Sequence, residues 1–141
     1  MWKDITKQFL LKEEGLVLKP YVDTAGKITI GVGRNLSDVG ISRDEALYLF
    51  ENDFKKALER AENICRDFDI DFSSLPDNVK IVLVDMAFNM GNRLKYFRKM
   101  FDAIGRQNYK KAKSEMLNSL WAKQTKSRAK ELASLMENGD V

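Results

Sequence analysis

Glu14, Asp23 and Thr29 are the residues of this sequence best suited to chemistry. Glu14 precedes Gly15 at the end of a predicted helix, where the partial negative charge of the C-terminus disfavours an ionised carboxylate. Partial burial would act in the same direction and leave a protonated side chain, which is what a general acid requires. Asp23 lies nine residues further on, across a turn. The two carboxylates cannot share a helix face, but two different elements can hold them across a gap. In the predicted strand Ile28, Ile30 and Val32 point one way, and Thr29, Gly31 and Gly33 point the other. That second face offers one hydroxyl flanked by positions without side chains, so a ligand can approach the backbone and Thr29 can orient a water. An acid, a second carboxylate and a water-orienting hydroxyl are what hydrolysis of a glycosidic bond needs.

Other chemistries are excluded by composition. The sequence has no histidine and a single cysteine, Cys65. Ser-His-Asp and Cys-His catalysis, a Cys-based zinc cage and an internal disulfide are therefore ruled out. No metal site and no cofactor are expected. Acid–base work near neutral pH falls to carboxylates, Lys or Tyr. Cys65 itself reads as a small buried hydrophobe.

The elements that must position these residues follow from periodicity. Residues 3–14 read as a helix with Ile5, Phe9 and Leu10 on one face, stopped by Gly15. Residues 16–35, punctuated by Pro20, Gly26, Gly31 and Gly33, read as a small hairpin or three-stranded sheet. Ser42 and Glu45 form a capping-box pattern that opens a helix of about 22–25 residues. An acidic loop over 67–75 leads to Pro76 and a helix running to Met90, with Gly91 as its cap. Its segment VKIVLVDMAF is apolar on nearly all sides and predicts the central buried helix. Further helices are expected at 94–104, 109–122 and 127–137.

The chain has 141 residues, 44% hydrophobic and 32% charged, which suits a single folded domain without staples. The net charge of +3 is unevenly spread. Residues 1–88 hold twelve Lys/Arg against sixteen Asp/Glu, and residues 89–141 twelve against five. The basic C-terminal half suggests a polyanionic partner: nucleic acid, an anionic membrane or an acidic wall polymer. The opening MWKDITKQFLLKEEG does not read as a signal peptide, and no apolar run approaches a membrane span. Synthesis in a cytosol, with no stable membrane insertion, is the expectation.

The pattern E-G-L-x-L-K-x-Y-x-D-T-x-G-x-x-T-I-G-x-G, from Glu14 to Gly33, resembles the active-site segment of the phage-type lysozymes, or endolysins, of glycoside hydrolase family 24. The resemblance continues through DEALYLFENDFKKAL, through Leu83 to Gly91, through Ser119-Leu120-Trp121 and through Gln124 to Lys130, covering essentially the whole chain in family order. It implies an α+β, predominantly helical, lysozyme-like fold in one domain spanning 1–141. A small sheet lobe (15–42) would be joined by a connecting helix (43–66) to a helical lobe (1–14 and 67–141), with a saccharide groove between them. It implies Glu14 as catalytic acid, Asp23 as second carboxylate and Thr29 beside the attacking water. Gly33, Asn35 and Phe88 would line the groove, Arg128 would support the acid, and Trp121 would sit in the helical core.

The same resemblance implies hydrolysis of the β-1,4 link between N-acetylmuramic acid and N-acetylglucosamine in peptidoglycan, for host cell lysis. The expected partners are glycan strands, with no nucleic acid. The expected protein is a monomer, held in the host bacterial cytoplasm until a separate holin-type membrane protein releases it to the periplasm or wall. Arg34 departs from the pattern, standing where many members carry histidine, and the short segment from Asn35 to Ile41 leaves no room for an extra helix. Two other readings stand beside this one. A lytic transglycosylase needs one acid/base and no water, and Asp23 with Thr29 argues against it. A catalytically inactive wall-binding or basic nucleic-acid-binding module would keep the fold and lose the activity.

Overall fold

Gly15 stops the first helix as its type requires. In the computed structural model, which describes residues 1–138, α1 spans Trp2–Glu14, and Gly15, at φ 75°, returns its N–H to the Leu11 carbonyl. Three antiparallel strands follow in the order β1 (Val17–Val22), β2 (Ile28–Gly31) and β3 (Arg34–Asn35). Tyr21 pairs with Thr29, Val22 with Ile28, and Thr29 in turn with Asn35. A bulge in β1 between Val17 and Tyr21 shifts the register toward the open end of the ribbon. The predicted alternation ends at Gly31. Val32 and Gly33 form the tight turn into β3 rather than extending the strand.

The capping box at Ser42 forms as read. Ser42 Oγ accepts from the Glu45 N–H at 3.1 Å, and Glu45 Oε1 accepts from the Ser42 N–H at 2.9 Å. It opens α2 (Arg43–Asp67), a helix of 25 residues. No helix lies between Asn35 and Ser42, in keeping with the shortness of that segment.

The chain divides into two compact units, Met1–Leu49 and Phe50 onward, with α2 running through the boundary. The first unit carries little apolar interior. Among the described residues, every buried hydrophobic side chain belongs to the second unit, and the apolar residues of α1 are exposed, Phe9 by 60%. Hydrogen bonds and turns hold the ribbon together instead.

The second unit is helical and built on α3 (Asp77–Met90), which begins just after Pro76 and ends at Gly91. Val79, Val82, Leu83, Met86 and Ala87 of α3 are fully buried, as expected for the central helix. Around it pack Ala57, Ala61, Ile64 and Cys65 of α2 and, from later elements, Leu94, Phe101, Ile104, Met116 and Trp121. Each such large side chain contributes roughly 1.5–3 kcal/mol by leaving water. Phe68 stacks on Phe101 with ring centroids 4.8 Å apart.

The remaining helices are shorter than their patterns suggested. The predicted helix at 94–104 is a 3₁₀ segment, Gly91–Tyr96, then a break at Phe97, then α4 (Arg98–Gly105). The predicted helix at 109–122 is α5 (Tyr109–Leu117) and α6 (Leu120–Thr125). Ser119 separates them: its backbone is extended and its hydroxyl accepts from the Ala122 N–H, capping a new helix. The final helix, α7 (Ser127–Glu137), forms as predicted. The acidic loop contains a 3₁₀ turn, Phe72–Ser74, capped by Asp71. The fold is α+β and predominantly helical. Among the described residues no helix is long and apolar enough to cross a membrane.

Candidate active site

The turn between β1 and β2 builds an anion. Asp23 Oδ1 accepts from the backbone N–H groups of Ala25 and Lys27, each at 2.9 Å. Its Oδ2 lies 3.3 Å from the Thr29 hydroxyl. The Lys27 N–H, with Ala25 and Thr29 adding to it, holds the Asp23 carboxyl below the ordinary carboxylate range despite some desolvation. Asp23 is therefore ionised across the neutral range. This Asx-type turn was legible in the spacing D-T-A-G, where an Asp two and four residues before exposed amides folds back on them.

Thr29 is buried in the middle of β2. It is 3% exposed, and its hydroxyl is also 3.1 Å from the Lys27 carbonyl. It is packed behind Asp23, so it fixes that carboxylate from within the ribbon. Asp23 Oδ2 keeps a lone pair for a further donor.

At the other end of the ribbon, the Glu14 side chain reaches the turn between β2 and β3. A β-carbon on Gly33 would stand 2.7 Å from Glu14 Oε2 and 3.1 Å from its carboxyl carbon. Gly33 also has φ of 66°. The positive φ calls for glycine, because L side chains avoid that conformation, and any β-carbon there would also make the Glu14 carboxylate shift. Glu14 is exposed. Asn35 is half-buried on β3, and its Nδ2 donates to Asp38 while its Oδ1 accepts from the Asp38 N–H.

Arg34, the departure from the histidine pattern, finds a carboxylate. Its Nη1 donates to Glu45 Oε1 at 2.8 Å and to the Gly40 carbonyl at 3.2 Å. This bond, with the Ser42 cap, pulls the Glu45 carboxyl from an ordinary 4.5 to about 2. One glutamate thus serves both the helix cap and the end of the sheet.

In the second unit, Phe88 and Arg128 line one apolar cavity of about 540 Å³, together with Phe50, Phe54 and Ile81. Phe88 is 45% exposed on α3 and tilts against Phe50 at 5.8 Å. Arg128 is engaged by Asp85, whose Oδ1 accepts from Nη2 at 2.6 Å and from Nε at 3.1 Å. Support of Glu14 by Arg128 rests on the resemblance alone. Asp85 was given no role in the sequence, although a lone acid inside VKIVLVDMAF signals a partner. Trp121 is buried as expected, and its indole N–H donates to Asn89. Among the described residues, no group of three His, Cys, Asp or Glu side chains is placed to hold a metal.

The profile of the Phage lysozyme family matches residues 11–138, most of the chain and all of the candidate site residues. The chain belongs to the phage lysozyme family. Two curated relatives from Dictyostelium discoideum, "Probable T4-type lysozyme 2" and "Probable T4-type lysozyme 1", are 29% and 27% identical to it. Each alignment covers 96% of this chain and 95% of the relative. The "Pre-baseplate central spike protein Gp5" of Enterobacteria phage T4 is 26% identical over 95% of this chain, but that match takes in only 28% of the spike protein. As a phage lysozyme family member the chain is a glycoside hydrolase with lysozyme-type activity on peptidoglycan.

Proposed function

We propose that this phage lysozyme family member cleaves the β-1,4 bond between N-acetylmuramic acid and N-acetylglucosamine, with Glu14 as general acid and Asp23 as its partner carboxylate. The observation that carries the reading is the clamped anion: Asp23, fixed by two backbone N–H groups and Thr29 on the same ribbon whose Gly33 underlies Glu14. In the reaction Glu14 gives its proton to the leaving glycosidic oxygen as the bond to the anomeric carbon breaks. A water adds to that carbon and loses its proton to Asp23 or onward to solvent. The product is a new reducing end.

The lowered pKa supports a charge-stabilising part for Asp23. A carboxylate held by backbone amides in this way is a weak base that stays charged near neutral pH. Its main work is then to orient the water and to stabilise positive charge developing at the anomeric carbon, an electrostatic role that needs no reorganisation during the reaction. Gly33, Asn35 and Phe88 are the proposed glycan contacts. The proposed setting is host cell lysis. The protein accumulates as a monomer in the host bacterial cytoplasm and reaches the periplasm or wall through a holin-type membrane protein.

The test is digestion of purified peptidoglycan with mass spectrometry of the released muropeptides. Hydrolysis yields hydrated reducing ends at muramic acid, whereas 1,6-anhydro ends would assign a transglycosylase. Glu14→Gln is expected to leave the fold intact and lower turnover by at least about 10²-fold, the low end for loss of a general acid. Asp23→Ala should impair turnover strongly as well. Near-normal digestion by either variant refutes the assigned pair.

A further inference from the structure

We infer that Asp38 is a positioning residue for the proposed reaction: it holds the Lys27 ammonium aside, so that Asp23 meets the substrate with no counter-ion seated on it. The inference rests on the reading of Asp23 as the partner carboxylate, and it gives a part to a residue that sequence reasoning left without one. Lys27 is rooted beside Asp23. Its backbone N–H donates to Asp23 Oδ1 at 2.9 Å, and the Asp23 N–H donates to the Lys27 carbonyl at 2.9 Å. A flexible four-carbon stem that starts there can swing its ammonium onto the neighbouring carboxylate. Of the influences that lower the Asp23 carboxyl, the Lys27 N–H comes first and the charge of the Lys27 ammonium last, so the two ions already act on each other through space.

The ammonium is directed elsewhere. Lys27 Nζ donates to Asp38 Oδ1 at 3.2 Å, and among the described residues no Asp23 carboxylate oxygen lies within 4.0 Å of it. Asp38 is itself fixed for this contact. Its Oδ2 accepts from Asn35 Nδ2 at 3.0 Å, and its N–H donates to Asn35 Oδ1 at 3.0 Å. The stretch that carries Asp38 is tied to the residue after Lys27. There the Ile28 N–H donates to Ser37 Oγ at 2.9 Å, and the Leu36 N–H donates to the Ile28 carbonyl at 2.7 Å. One oxygen of Asp38 is thus committed to Asn35, and the other faces the lysine.

The arrangement bears on the chemistry of Asp23. A lysine seated on Asp23 Oδ2 would occupy the lone pair left for a water. It would also cancel the negative field that favours positive charge at the anomeric carbon. The side chains of Lys27 and Asp38 are 42% and 55% exposed, and an exposed pair of this kind biases a side chain by up to about fivefold. The expected effect is therefore a modest one on kcat.

The experiment is a double-mutant cycle on the full chain, with kcat and KM measured on soluble peptidoglycan fragments. Asp38→Asn keeps an oxygen for Asn35 and removes the charge that holds the lysine, so circular dichroism and melting temperature should stay close to the parent's. Its kcat is expected to fall about three- to fivefold with KM unchanged. The same substitution in a Lys27→Gln background should leave kcat where Lys27→Gln alone puts it, because no ammonium remains to be diverted. Raising the ionic strength from about 0.02 M to about 0.5 M should narrow the deficit of Asp38→Asn relative to the parent, since screening weakens an exposed pair. An equal fold loss in both backgrounds would overturn the inference, as Asp38 would then act through folding or on the glycan itself. So would a parent-like kcat in Asp38→Asn, or a deficit that salt leaves unchanged. Any of these results, with turnover still lost in Asp23→Ala, leaves the assignment of Asp23 standing, whereas near-normal turnover in Asp23→Ala removes both.

Discussion

The carboxylate of Glu14 lies over Gly33, so close that a β-carbon there would come within 2.7 Å of Oε2. The side chain at the end of a helix thus reaches the tip of the ribbon, over a residue with no side chain of its own. Gly33→Ala adds one methyl to a backbone held at φ 66°. The left-handed conformation alone should cost about 1–2 kcal/mol of stability. The acid must also move aside, and displacement of a reacting group by about 1 Å costs on the order of 10² in rate. A modest fall in melting temperature with a much larger fall in peptidoglycan turnover is the expected outcome. A parallel loss of both would mean the glycine matters only for folding.

The Thr29 hydroxyl adds to the backbone amides that hold the Asp23 carboxyl low. Thr29→Val removes the hydroxyl and keeps the shape, leaving the two backbone amides in place. The carboxyl pKa of Asp23, held low in the parent, should rise toward its ordinary value. Activity that depends on an ionised Asp23 is lost as pH falls through that pKa. The acid limb of the pH–rate profile should therefore move to higher pH in Thr29→Val and stay in place in Thr29→Ser. Stopped assays of reducing-end release from pH 3 upward would show the shift.

Glu45 makes the first unit sensitive to acid. Its folded-state pKa of about 2 lies below the ordinary 4.5, so the stabilisation from Arg34 and the Ser42 cap is fully present above 4.5 and is lost as pH falls toward 2. Hydrogen exchange of the β2 and β3 amides should quicken across that window in the parent. In Glu45→Gln it should start fast and change little. Ser42→Ala removes the capping hydroxyl and should cost about 1 kcal/mol at neutral pH.

Asn78 is a buried polar side chain with an exacting partner. Its Nδ2 donates to the Leu135 carbonyl at 2.8 Å, tying α3 to α7, while its Oδ1 is buried without a hydrogen-bond partner. Asn78→Asp replaces that donor with a second acceptor and adds a buried charge. A loss of about 3 kcal/mol at neutral pH is expected. The introduced carboxyl has a folded-state pKa above its unfolded value, so the loss is full at neutral pH and shrinks as pH falls through the raised value. Urea unfolding at pH 7 and pH 4 would show both parts.

Much of this molecule could be read from residue order, because the signals are local. The Gly15 stop, the Ser42 capping box, the apolar run of α3 and the Gly91 cap each depend on neighbours a few residues away, and each formed. Local signals also misled where a short-range competitor intervened. Ser119 could either continue a helix or cap a new one, and its hydroxyl chose the cap. Val32 fitted a strand, yet two glycines beside it favoured the turn.

The proposal of Glu14, Asp23 and Thr29 as a chemical set draws on residue types, their order and the family resemblance, all of which are read from the sequence. What each of them touches is not read there. That Thr29 is buried behind Asp23, that Glu14 lies over Gly33, that Arg34 shares Glu45 with the helix cap and that Asp85 holds Arg128 are contacts across 6, 19, 11 and 43 positions of chain. Such pairings are decided by how turns and helices bring distant atoms within bonding distance, and no pattern of neighbours encodes them.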